Sequence, residues 1–110
     1  VKNEAIICFD IDETLLMPEK GDGTDVFVKY NGRVEKRNPH RKHVQFLKDN
    51  YFRGFTIYLW SGNGAEWCAA ASDALGLDEY VDHVMAKPIK IVDDLDPSEW
   101  LPKRIYLENK

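Results

Sequence analysis

The sequence predicts an α/β fold: a doubly wound, mainly parallel five-stranded sheet with a β-hairpin flap after the first strand. Three observations predict it. Apolar runs that read as strands buried on both faces alternate with amphipathic stretches of helical length, the pattern of a parallel sheet covered by crossover helices. Polar residues follow several of these runs, and in parallel sheets such positions meet at one edge. Asn31 and Gly32 sit between two β-rich arms, the strongest short hairpin signal because both central residues take positive φ. A chain of 110 residues is expected to form a single domain over 1–110, with the hairpin flap at about 24–37 and no separate cap.

The first strand is expected over 5–10, from Ala5, Ile6, Ile7, Cys8 and Phe9. Pro18, Gly21, Asp22 and Gly23 mark 17–25 as loop. After the hairpin, Asn38 is the expected N-cap of a helix and Pro39 its first residue. Val44, Leu47 and Tyr51 form its buried face, and Gly54 closes it. Phe55, Thr56, Ile57, Tyr58, Leu59 and Trp60 make a second buried strand ending at Ser61, Gly62, Asn63 and Gly64. A second helix is expected over about 64–75, with Trp67, Ala71, Ala74 and Leu75 inward and Gly76 after it. A short third strand is expected over 80–85 and a fourth over 89–92. Asp96 and Pro97 then open a helical turn, and a fifth strand follows over 104–107.

Composition narrows the class. Hydrophobic residues make up 44% and charged residues 31%, which suits a soluble globular protein with a modest core. No apolar run approaches the roughly 20 residues of a membrane helix, so no membrane partner is expected. No basic-then-apolar leader pattern opens the sequence. Cys8 and Cys68 are expected as buried free thiols, which points to a reducing compartment, the cytoplasm. Net charge is −4, yet residues 29–43 hold Lys29, Arg33, Lys36, Arg37, Arg41 and Lys42 against Glu35 alone. Such a basic segment on an acidic protein suits the steering of an anionic substrate.

The chemistry concentrates where the first strand ends. Asp10 and Asp12 flank one residue, so alternation sends both carboxylates to the same side. Two such groups aimed at one spot repel, and a cation between them or a proton on one of them relieves the repulsion. Thr14 follows at the same spacing. Ser61 and Gly62 end the second strand, Lys87 lies after the third, and Asp93 and Asp94 end the expected fourth. Each feature alone has a plainer reading. Ser61 to Gly64 would ordinarily be a turn, Lys87 before Pro88 a surface lysine with Lys90 as its rival, and His40 and His43 solvated helix residues. Trp60 and Trp67 read as core.

In this order the motifs resemble those of haloacid dehalogenase superfamily phosphatases, of the small capless type, over about residues 5–107. The resemblance implies a Rossmann-like sheet of order 3-2-1-4-5. It implies Asp10 as a nucleophile that forms an aspartyl-phosphate, and Asp12 as the acid that protonates the leaving oxygen and then deprotonates water. Thr14 would hold the loop, Ser61 and the Gly62 amide would bind the phosphoryl oxygens, and Lys87 would neutralise charge. Mg²⁺ would be held by Asp10, Asp12 through its carbonyl, and Asp94, with Asp93 acting through water. The implied partner is a phosphorylated substrate, and a capless site suits a macromolecular one. The basic segment leaves open a phosphatase for nucleic-acid ends, although Tyr30 is its lone stacking residue. A non-catalytic metal-binding module of the same fold is the other alternative. Dehalogenation itself is disfavoured, since displacing halide needs neither the acid nor the metal.

Overall fold

The computed structural model describes residues 5–19 and 21–96. The expected strand at 104–107, and the expected helical turn from Pro97 onward, lie outside the described residues. In chain order the elements are β1 (Ile6–Asp10), β2 (Leu16–Met17), β3 (Val26–Tyr30), β4 (Arg33–Pro39), α1 (Arg41–Phe52), β5 (Thr56–Ser61), α2 (Ala65–Leu75) and β6 (His83–Ala86). A parallel sheet runs in the order β1-β5-β6, and a separate antiparallel sheet runs β2-β4-β3. Among the described residues no helix is long and apolar enough to cross a membrane.

The doubly wound five-stranded sheet, with its order 3-2-1-4-5, is therefore corrected to two three-stranded sheets. Residues 89–92, expected as a fourth strand, form none, and Ile89 and Val92 are fully exposed. Winding in both senses needs crossovers that leave the first strand in opposite directions. Here the steps from β1 to β5 to β6 run one way, and right-handed crossovers then put both helices on one face. The side chains agree. Ile7, Phe9, Ile57, Leu59 and Val84 share one core with Leu47 of α1 and with Trp67, Cys68 and Ala71 of α2. Phe46 of α1 meets Phe9 edge to face at 6.1 Å. The alternate set, Ile6, Cys8, Thr56, Tyr58, Trp60 and His83, is half-buried or exposed.

The antiparallel sheet grows from the hairpin. Asn31 and Gly32 have φ of 54° and 74°, as a two-residue turn matched to strand twist requires. Val26 and Tyr30 pack against the core and Val28 lies within it. Asn38 and Pro39 do not open a helix but finish β4, pairing with Met17 and Leu16. Pairing with β3 ends at Arg37, so β4 is paired on one side only at Pro39, where a residue without an N–H is tolerated. Asn38 Nδ2 donates to the Gly23 carbonyl and to Asp25 Oδ1, both at 2.8 Å. Helix α1 begins only at Arg41, with His40 as N-cap. Its first amide is satisfied by Asp22 of the loop between β2 and β3, whose Oδ1 accepts the Arg41 N–H at 2.6 Å. That bond holds the Asp22 carboxyl below the ordinary carboxylate range.

One-sided packing has a measurable signature along β5. Leu59→Ala, on the covered face, is expected to cost about 2–5 kcal/mol of unfolding free energy. Tyr58→Ala, on the other face, is expected to cost less than half as much. Equal losses in urea titrations would contradict this arrangement.

Candidate active site at the sheet edge

Three neighbouring parallel strands bring their carboxyl ends together. Asp10 is the last residue of β1 and lies level with Trp60, which lies level with Met85 of β6. Ser61 ends β5, and the Lys87 N–H continues the ladder by donating to the Ser61 carbonyl at 2.8 Å. The lysine is thereby fixed at the edge, with Nζ 3.9 Å from Asp10 Oδ1. Their side chains are 45% and 34% exposed, respectively. At that exposure an ion pair is worth about 0–1 kcal/mol, so it holds the fold together little. Both charges stay within reach of a solute.

Asp12 is held differently. Its Oδ2 accepts from Asn63 Nδ2 at 2.9 Å and from Trp67 Nε1 at 3.1 Å. The loop carrying it folds tightly around one acceptor, the Ile11 carbonyl, which takes the N–H groups of Thr14, Leu15 and Leu16 at 3.1, 2.9 and 3.0 Å. Glu13 sits in the left-handed region at φ 62°, which costs a non-glycine residue of order 1–3 kcal/mol. The start of α1 enforces the loop. The His40 N–H donates to the Leu15 carbonyl at 2.9 Å, and His43 Nδ1 donates to the Thr14 carbonyl.

The two histidines are not the solvated residues the sequence suggested. They are 5% and 4% exposed, and their rings stack in parallel with centroids 3.5 Å apart. The legible signal is spacing: His40 and His43 each stand four residues before an apolar position of the helix, Val44 and Leu47.

Ser61 is buried, and its Oγ accepts the Asn63 N–H at 3.0 Å, which leaves the hydroxyl proton to donate. Gly62 is exposed at the turn, and Thr14 is half-buried in the loop. Asp93 and Asp94 lie on an exposed stretch. Asp93 Oδ1 accepts the Leu95 N–H at 3.1 Å, and a hydrogen bond with the Asp94 side chain, foremost, holds the Asp93 carboxyl below its ordinary range. Among the described residues no three His, Cys, Asp or Glu side chains stand where they could hold a metal. The set expected for Mg²⁺, an Asp10 oxygen, the Asp12 carbonyl and Asp94 with water, needs only two carboxylate side chains bound directly. Mg²⁺ commonly takes only one or two carboxylates and completes its shell with substrate phosphate and water. The half-exposed Asp10 carboxylate fits that mode, whereas Asp12 Oδ2 is already engaged by two N–H donors.

Asn63 and Trp67 are the contacts that sequence reasoning missed. Trp67 was legible as core, and a buried indole N–H demands an acceptor, but nothing in the sequence says which. Cys68 lies near both acids, yet burial, helped by their charges, pushes its thiol up to about 11. It is therefore no rival nucleophile at neutral pH. A hollow of about 650 Å³ lies elsewhere, between the hairpin and α1, beside Val26, Arg41, Val44 and Lys48. None of the expected site residues lines it.

No family model, no curated protein and no solved structure matches this chain.

The buried His40 makes stability depend on pH. Burial, then the charge of His43, pulls His40 below its ordinary 6.5, against the opposing pull of Asp22. The unfolded chain therefore takes up this proton at higher pH than the folded one. The stability His40 contributes is complete above about 6.5 and is lost as pH falls through its folded value. Urea midpoints should decline from pH 7 to pH 5, and His40→Phe, which keeps a stacking ring without the titration, should flatten the decline. An unchanged slope would exonerate His40.

Proposed function

We propose that this chain is a Mg²⁺-dependent phosphatase that hydrolyses phosphate monoesters through an aspartyl-phosphate on Asp10. The observation that carries the reading is Lys87 Nζ 3.9 Å from Asp10 Oδ1, at the carboxyl edge of a parallel sheet. An ammonium there offsets the repulsion between an attacking carboxylate and a phosphate dianion. The motif resemblance to haloacid dehalogenase superfamily phosphatases supports the same assignment. Mg²⁺ held by Asp10 and the substrate phosphate would supply further charge neutralisation.

In the first step an Asp10 oxygen bonds to phosphorus and the bond to the leaving oxygen breaks. Asp12 gives its proton to that oxygen. In the second step Asp12, now a carboxylate, takes a proton from water as the water oxygen attacks phosphorus. The bond to Asp10 breaks, and inorganic phosphate leaves. The Ser61 hydroxyl and the Gly62 amide are the donors proposed for the phosphoryl oxygens. The two free thiols accord with a cytoplasmic setting. Lys29, Arg33 and Lys36 are exposed on the hairpin and favour an anionic macromolecule, such as a phosphorylated nucleic-acid end, as the ester's carrier.

Asp10→Asn should abolish turnover of an aryl phosphate and the aspartyl-phosphate mass adduct, with the far-UV spectrum retained. Lys87→Met should lower kcat/KM about 10²–10³-fold, and EDTA should remove activity that added Mg²⁺ restores. Undiminished turnover by Asp10→Asn would refute the covalent route. If the carrier is nucleic acid, phosphorylated oligonucleotides should outcompete small esters, with an advantage that shrinks as salt rises.

A further inference from the structure

Trp67 is held from two sides. Its Nε1 donates to Asp12 Oδ2 at 3.1 Å. Its ring meets Tyr30 edge-on, centroids 5.2 Å apart, and the Arg37 guanidinium lies 5.6 Å from its centroid. Tyr30 is the last residue of β3, and Arg37 belongs to β4. Arg37 is in turn fixed by Glu35 Oε1 at 3.1 Å and by the Lys36 carbonyl at 3.0 Å. One indole, 3% exposed, thus joins the hairpin of the second sheet to an acid at the edge of the first.

The second donor, Asn63 Nδ2, ends on the same Asp12 oxygen at 2.9 Å. Two N–H groups on Oδ2 fix the rotation of the carboxylate and set its plane. They also disfavour a proton on that oxygen, so Oδ1 is the one left to carry it. An acid works only when its proton is aimed at the leaving oxygen.

We propose that Trp67 and Asn63 are positioning residues for Asp12, and that the hairpin, through Tyr30 and Arg37, sets how accurately this acid is aimed. The hairpin then acts as a fixed buttress of the site. The inference rests on the acid–base role given to Asp12 above.

Its signature lies in the leaving group. An alkyl alkoxide must be protonated as it departs, whereas a dinitrophenolate leaves without help. In kcat/KM, which reports only the steps up to departure of the leaving group and so leaves out the water step that Asp12 also serves, a misaimed acid therefore slows alkyl esters selectively, while general loss of structure slows both. The test compares hydrolysis of a simple alkyl phosphate and of 2,4-dinitrophenyl phosphate by the native chain and by Trp67→Phe, Asn63→Ala and Tyr30→Ala, with Mg²⁺ present. The expected result for Trp67→Phe and for Asn63→Ala is a loss about tenfold larger on the alkyl ester than on the aryl ester. Tyr30→Ala should shift the ratio the same way by a smaller factor. Asn63 lies on an exposed turn, so its variant keeps the test open if removal of the indole unfolds the core. Equal losses on both esters in Asn63→Ala and in any folded Trp67→Phe would overturn the inference and leave the phosphatase reading intact. No turnover of either ester by the native chain would remove both.

Discussion

A single backbone oxygen governs how this chain is laid out. The Ile11 carbonyl accepts three successive N–H groups, from Thr14, Leu15 and Leu16, and so reverses the chain directly after β1. That reversal delivers Leu16 and Met17 to the antiparallel sheet while leaving Asp10 and Asp12 at the edge of the parallel one. Glu13 is forced into the left-handed region to achieve it, and such strain persists only where surroundings over-determine it. Helix α1 does so by bonding the carbonyls of Thr14 and Leu15 from His43 and from the His40 amide. The buried histidine stack is therefore part of the loop's support.

The two acids of that loop are treated oppositely. Asp10 keeps a half-exposed lysine as its neighbour, an arrangement that contributes little to folding and can be exchanged for a ligand anion. Asp12 is bound by two neutral N–H donors, one of them buried, which orient without neutralising. A nucleophile needs its partner to be displaceable, and an acid needs its direction to be fixed. The difference between the residues on either side of Ile11 is the one that the roles proposed for Asp10 and Asp12 would call for.

Much of this was legible residue by residue. The apolar runs around Ile7 and Ile57 are parallel strands, Asn31 and Gly32 turn a hairpin, and Gly76 takes the left-handed φ of 68° that ends α2. Those features are local, and local preference is what sequence records best. What failed was non-local. Whether 89–92 joins a sheet depends on a free strand edge, which no run of apolar residues can announce. Pro39 looked like a helix start because the pairing of Leu16 with it lies 23 residues away in sequence. The contacts of Asn63 and Trp67 with Asp12 span 51 and 55 residues, beyond any periodic signal.

The bond from Trp67 to Asp12 has an optical consequence. An indole whose N–H is tied to a carboxylate emits differently from one that is not, and Trp60, level with Asp10, stands half-buried on the uncovered face of the sheet. Among the described residues the protein thus carries two indoles near its two acids, one enclosed and one open to quenchers. With Trp100 replaced by Phe, emission from these two indoles would report on the sheet edge without an attached dye.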